Sequence, residues 1–361
     1  MNINELIFLN ALNSIPGVGV ATLRLLQNQL GSFATAWRAD LHDLAGGTFH
    51  KPIHHIIDCR ASLDPEKEFK KLEQHGIWII TEHDPSFPSP LREIPQPPIM
   101  LYGRGEKLNE QNIMIGIVGT RRPTTYGVQA AQQLGEQVAR AGMTIVSGLA
   151  VGIDTIAHKA ALENHTPTIA VVGSGLHPAV LFPSQNIPLA DHITNAGGTI
   201  ISEYAPQTPA AREYFPLRNR IISGLSRGIL VIEARERSGA LITARIALEQ
   251  NRDVFALPGS IFSPTSLGAN RLIQEGAKLV LHADDICQDW GLPLSSSPAL
   301  SLDALDNDAR TVINLLEQEM TLDEVCEKIQ HMDTPQVMSL LSLLELKGYI
   351  KSRGNNSYQK I

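Results

Sequence analysis

The chain has 361 residues, 43% of them apolar and 19% charged, with 30 lysines and arginines against 37 aspartates and glutamates. That composition excludes a disordered chain, because enough surface can be buried to offset conformational entropy, and at roughly 150 residues per domain it predicts two or three domains. A formal charge of -7 excludes a protein that coats nucleic acid through bulk positive charge, so any such contact must be a local patch.

The first residues, Met1-Asn2-Ile3-Asn4-Glu5, lack the basic and apolar regions of a secretory signal, and no apolar run reaches the length of a membrane span. Cys59, Cys287 and Cys326 form no Cys-x-x-Cys pair and are odd in number, which suits a reducing compartment. A cytoplasmic protein with no membrane partner is expected. There is no Gly-x-x-x-x-Gly-Lys-Ser/Thr loop and no His-Glu-x-x-His, so a common ATPase or zincin is disfavoured.

In chain order, apolar residues at Leu6, Leu9 and Leu12 and again at Leu23, Leu26 and Leu30 predict two helices. Ile15-Pro16-Gly17-Val18-Gly19 joins them in a helix-hairpin-helix shape. Such a hairpin can grip a DNA phosphate, but its flanks offer only Arg24, which favours a purely structural hairpin. His42, His50, His54, His55 and Cys59 match no standard zinc spacing and read as surface residues; no metal and no other cofactor is expected. The proline-rich stretch from Asp84 to Pro98 cannot hold a helix or a central strand and reads as a linker or docking arm.

From Ile113 onward, short branched runs (Ile113 to Val118, Thr144 to Val146, Thr168 to Val172, Thr199 to Ile201, Ile229 to Ile232, Val254 to Leu257, Lys278 to Leu281) alternate with helical stretches such as Gly127 to Arg140 and Gly239 to Gln250. This βαβ series specifies a parallel sheet covered on both faces. After Gly291-Leu-Pro-Leu-Ser-Ser-Ser-Pro, helical runs at Ala309 to Glu319, Leu322 to Ile329 and Pro335 to Lys347 lead into a hairpin around Gly354-Asn355-Asn356, which suggests a winged helix. From Ala304 on there are nine acidic against six basic residues, so duplex reading by that domain is not expected; a protein contact or an auxiliary DNA role is. The expected α/β chain therefore has a helical domain over 1–82, a proline-rich arm over 83–112, a doubly wound Rossmann-like parallel sheet over 113–290, a linker over 291–303 and a winged helix over 304–361.

Ligands of open parallel sheets bind beyond the carboxyl ends of the strands. Three exits fall there: Gly119-Thr120-Arg121-Arg122-Pro123, Ser147-Gly148-Leu149-Ala150-Val151-Gly152-Ile153-Asp154 and Gly173-Ser174-Gly175. Small residues allow close backbone approach, and the helix starts that follow favour an anion. Two arginines replace the second half of a dinucleotide fingerprint after Gly116-x-x-Gly119, so NAD binding is disfavoured. Between Arg212 and Arg245 lie seven arginines, three glutamates and no lysine. Arginine forks match phosphate and stack on bases, so Arg121, Arg218 and Arg220 are expected ligand residues, whereas Arg235 and Arg237 are expected to face water or pair with acids. Asp154 and His158, four apart on one helix, could form an acid/base pair or serve capping and packing. Glu203 and Glu233, at strand ends, have no nucleophile or metal cluster beside them.

Together with Phe182-Pro183-Ser184-Gln185-Asn186, Phe215-Pro216-Leu217-Arg218-Asn219-Arg220-Ile221-Ile222 and Ser238-Gly239-Ala240-Leu241-Ile242-Thr243-Ala244, the first two of those exits resemble the bacterial DNA-processing protein A family (DprA, also called Smf). The similarity extends through Gly268-Ala269-Asn270-Arg271-Leu272-Ile273-Gln274-Glu275-Gly276-Ala277. It implies a non-catalytic protein that binds and protects single-stranded DNA, loads the RecA recombinase in natural transformation and forms a homodimer. It also implies DNA contacts at Arg121 or Arg122, Arg218, Asn219 and Arg220, with Ser147, Gly148, Gly173 and Asn186 as loop neighbours. Phe182 and Ile187 stand where many relatives have a tyrosine and a basic residue. The competing class is an enzyme acting on a nucleoside monophosphate, such as a phosphoribohydrolase of related fold, whose usual Pro-Gly-Gly-x-Gly-Thr is absent.

Overall fold

The computed structural model describes residues 1–40, 52–293, 307–329, 331–346, 349–354 and 356–360; His42, His50 and most of the stretch expected as the second linker lie outside them. The chain divides into two compact units, Met1–Ser295 and Ser296–Ile361.

The first unit is built on a nine-stranded sheet: β1 (Ile77–Thr81), β2 (Met100–Gly105), β3 (Met114–Val118), β4 (Thr144–Ser147), β5 (Thr168–Val171), β6 (Thr199–Ser202), β7 (Gly228–Val231), β8 (Asp253–Ala256) and β9 (Lys278–Leu279). Their order is β1-β2-β6-β5-β4-β3-β7-β8-β9. From β6 to β9 every neighbouring pair is parallel. The chain winds outward from β3 in one direction through β4, β5 and β6, then returns to the other side of β3 for β7, β8 and β9. That doubly wound arrangement is the one expected, and its switch point lies at β3.

Within β3, Ile115 and Ile117 face one core cluster while Met114 and Val118 face the other, as the two-residue period of a strand requires. Helices α7 (Thr125–Arg140), α8 (Ile153–Glu163) and α13 (Ala283–Trp290) cover the first face; α10 (Tyr214–Leu225) and α11 (Gly239–Glu249) cover the second. Helix α12 (Leu267–Gln274) packs in the same cluster as the second face, and α9 (Ile187–Asn195) packs in a further cluster with Tyr102 and Ile200.

Two strands depart from the expected purely parallel sheet. Ile77–Thr81 follows a helical stretch and Met100–Gly105 follows the prolines, and both form an antiparallel extension, β1 on β2 and β2 on β6. The branched and aromatic run Ile77-Trp78-Ile79-Ile80 favours a strand, but its partner comes from the far side of the prolines, which local pattern does not reveal. The proline-rich arm contains a helical turn, α6 (Ser89–Arg92), with Pro90 inside its first turn, where no backbone N–H is needed. Phe87, Leu91 and Ile94 of this arm are buried against Ile221, Ile222 and Leu225.

The N-terminal helices α1 (Ile3–Asn13), α2 (Val20–Leu30), α3 (Phe33–Arg38), α4 (Pro52–Arg60) and α5 (Pro65–Gln74) share a core with the sheet. Leu9, Leu12, Leu23 and Leu26 are buried in it beside Tyr102 and Ile200, and the Tyr102 hydroxyl donates to Asn10 Oδ1 at 2.9 Å. Arg24 is engaged inside the fold: its fork donates to Glu82 at 3.1 and 2.8 Å and to the Pro97 carbonyl at 2.8 Å.

In the second unit, α14 (Asn307–Leu315), α15 (Leu322–Lys328) and α16 (Thr334–Leu346) pack with a three-stranded sheet of β10 (Met320–Thr321), β12 (Ser357–Lys360) and β11 (Ile350–Gly354), in that spatial order. Val312, Leu316, Val325, Val337, Leu341 and Leu344 form its core. Three helices and a wing hairpin make it a winged helix.

Because Phe87 is fully buried, Phe87→Ala should cost about 3 to 5 kcal/mol in denaturant unfolding. A loss below about 1 kcal/mol, the range of surface substitutions, would show the arm to be a detachable linker.

Candidate nucleic-acid interface

The loops that leave β3, β4 and β5 converge at the C-terminal edge of the sheet, and most of their motif residues hold one another in place. Ser147 is fully buried and its hydroxyl donates to the Ile117 carbonyl at 2.6 Å. The next loop folds back on Asp154, whose Oδ2 accepts from the backbone N–H groups of Gly148 at 3.0 Å and Ala150 at 3.3 Å. Gly152 has φ +88°, and a Cβ there would strike the backbone of Thr120 and Arg121, so the first two loops can pack only with glycine at this point. Asn186 is buried; its amide donates to the Leu149 carbonyl at 2.7 Å and Thr155 Oγ1 at 2.8 Å. Gly173 is closed off by the Phe215 ring, 3.0 Å from where a Cβ would lie.

Arg218 lies beneath this frame, only 5% exposed. Its guanidinium donates to the Val171 carbonyl and sits with the Asp154 carboxylate against Gly148, where a Cβ would overlap both. Burial lowers the Arg218 guanidinium to about 10, so it stays charged at neutral pH, while burial pushes the Asp154 carboxyl up against the opposing charge of Arg218. Asn219 is buried one residue on. Arg220 turns away from the loops to Glu203, donating to both carboxylate oxygens at 2.6 and 2.7 Å.

Arg121 and Arg122 are exposed at the rim. The Arg121 guanidinium lies 5.6 Å over the Phe215 ring, and Phe215 in turn lies 5.6 Å from the ring of Phe182, which is 43% exposed. A cation over an open aromatic strip offers phosphate and base contacts together. Further along the chain, α11 begins at Gly239 with no side-chain cap hydrogen bond from Ser238. The expected site residues thus separate into an exposed pair, Arg121 and Arg122, and a partly or fully buried set. Sequence reasoning did not assign the aromatic strip. Its signal was composition: aromatics make only 5% of the chain, yet Phe182 and Tyr204, on loops beyond strands, meet Phe215 and Tyr214 at the start of α10.

The carboxylates are engaged structurally. Buried Glu233 accepts from the Thr124 N–H at 2.9 Å, the Thr124 hydroxyl at 2.7 Å and the Thr265 hydroxyl at 3.0 Å, which clamps the start of α7. His158 is not poised for acid/base exchange with Asp154: its Nδ1 pairs with Thr168 Oγ1 at 2.8 Å, and burial lowers it to about 3. A Gly-x-Ser-x-Gly spacing at Gly224 to Gly228 runs from helix into strand, opposite to a nucleophile elbow, and Ser226 is buried, donating to the Ile222 carbonyl at 2.8 Å.

Comparison with known proteins decides the family. Residues 78–291 match the model of DNA recombination-mediator protein A, and residues 296–356 match the DprA winged helix domain. The chain belongs to the DNA recombination-mediator protein A family. Protein Smf of Synechocystis is 40% identical over 291 residues, covering 79% of this chain and 72% of that protein. DprA of Bacillus subtilis is 43% identical over 217 residues, covering 60% and 72%. The crystal structure of Streptococcus pneumoniae DprA superposes with a TM-score of 0.64 at 34% identity, covering 80% of this chain and 99% of the other. The solved structure of DNA processing protein A from Helicobacter pylori, from a study of its single-stranded DNA binding mode, gives a TM-score of 0.53 at 29% identity, covering 59% of this chain and 95% of the other. Family membership agrees with the resemblance carried by the loop motifs.

Two outcomes follow from the buried groups. Arg218→Ala removes the charge that offsets buried Asp154 and should cost about 3 kcal/mol or more in thermal melting, whereas an unchanged melting temperature would place Arg218 at the surface. His158 titrates near its ordinary 6.5 when unfolded and near 3 when folded, so its contribution is full above pH 6.5 and is lost as pH falls through about 3. Between those limits this one group lowers stability by about 1.4 kcal/mol per pH unit. Unfolding of His158→Gln should show a correspondingly flatter acid limb, and a limb as steep as wild type would contradict the assignment.

Proposed function

We propose that this chain captures single-stranded DNA at the C-terminal edge of its sheet without altering it chemically, shields it, and loads the RecA recombinase onto it in natural transformation. The observation that carries the proposal is the exposed strip in which Arg121 lies over Phe215 beside Phe182. Guanidinium groups pair with phosphate, and open ring faces stack on any base, which is the chemistry of a sequence-tolerant single-strand binder. The Helicobacter pylori relative, studied for single-stranded DNA binding, and membership of a recombination-mediator family support it. In this scheme Arg121 and Arg122 touch the strand, while Ser147, Gly148, Gly173, Asn186, Arg218 and Asn219 keep the loops in register beneath it.

A non-catalytic role is favoured over a nucleotide-processing enzyme because Asp154, Glu203 and Glu233 each accept internal hydrogen bonds. The chain acts as a homodimer in this proposal, with two rims raising the effective concentration for a longer strand. The winged helix supplies a protein contact or an auxiliary DNA contact.

Titration with oligo-dT at low ionic strength should give saturable binding whose log affinity falls linearly with log salt. Arg121→Ala should weaken it by about 1 to 3 kcal/mol and reduce the salt slope by about 0.7, with the melting temperature unchanged. No binding, or turnover of a nucleoside monophosphate, would overturn the proposal.

A further inference from the structure

A cleft of about 800 Å³ lies between the N-terminal helices and the loop that follows β6. On one side are Asn13 and Lys71; on the other are Tyr204, Tyr214, Leu217 and Arg220. Its walls are held together by the fold: the Asn13 amide donates to the Tyr102 hydroxyl at 3.3 Å and to the Glu203 carbonyl at 3.2 Å. Three features suggest what it takes. Tyr204 and Tyr214 stack with centroids 4.1 Å apart and planes 24° apart, a ready aromatic wall. Lys71 and Arg220 are paired with Glu68 and Glu203, so the cleft does not present the net positive charge that a polyphosphate needs. Yet Arg220 Nη1 is buried with no hydrogen-bond partner among the described residues, an unsatisfied donor on a residue of the cleft wall.

The cleft also adjoins the rim. Tyr214 lines it, and the next residue, Phe215, lies under Arg121. We propose that the cleft receives one unpaired nucleotide of the strand held at the rim. Its base stacks on the Tyr204–Tyr214 pair, and one of its oxygens accepts from Arg220 Nη1. The volume falls within the range of small-ligand sites and exceeds what a single base requires, so the nucleotide enters with its sugar. This inference rests on the single-strand reading of the rim and assigns Arg220 a place that its burial beside Glu203 otherwise leaves unexplained.

The test uses the full chain and oligo-dT carrying one 2-aminopurine, moved along the strand position by position. Stacking on tyrosine quenches the probe, so one position should be quenched in wild type and released in Tyr214→Ala. Affinity should fall about tenfold in that variant, the scale of one lost base stack, and Tyr214→Phe should restore both signals. Should Tyr214→Ala fail to fold, Ala21→Trp narrows the same cleft from an exposed position on α2 and should likewise release the probe. Wild-type quenching and affinity in whichever of these variants folds would overturn the cleft while leaving the rim intact. Failure of the wild-type chain to bind the oligonucleotide would remove the rim reading and the cleft with it.

Discussion

A charged guanidinium held out of water beside a carboxylate is the constraint around which the loop edge is organised. Arg218 and Asp154 flank Gly148 from the same side, and each is costly to bury without the other's field and the surrounding backbone partners. Asp154 also accepts two loop N–H groups, so satisfying the carboxylate and shaping the β4 exit are one event. The result is an edge whose backbone is set before any ligand arrives, which lowers the ordering cost of binding.

Over that frame the chemistry is sparse. Arg121 and Arg122 project from a loop pinned through the Thr120 N–H to the Glu233 carbonyl at 2.8 Å, while the Glu233 side chain clamps Thr124. A chain of net charge -7 thus presents cations locally, where an aromatic strip lies beside them. Local presentation suits the proposed capture of single-stranded DNA, because few phosphate contacts keep the salt-sensitive part of the affinity modest.

Much of the architecture was legible because its signals are local. Runs such as Met114 to Val118 are apolar on both faces only in a covered parallel sheet, and helical spacing marked α1, α2, α7 and α11. The antiparallel pair β1 and β2 was not legible, since its pairing spans the proline-rich arm and depends on where β6 exposes an edge. Arg24 shows the same limit: beside a glycine hairpin it offers itself to a phosphate, and only the packed chain reveals Glu82 and Pro97 as its partners.

By itself the order of residues determined the α/β class, the winged helix, the glycine-bearing loops and the family, because each depends on periodicity or on motifs within a few residues of one another. Which arginines meet solvent was decided only in three dimensions. Arg121, Arg218 and Arg220 look alike in a string, yet one is exposed over an aromatic ring, one is buried with Asp154 and one is paired with Glu203. The reason is physical: desolvation and charge pairing are set by neighbours brought from distant strands, and the string does not record that distance.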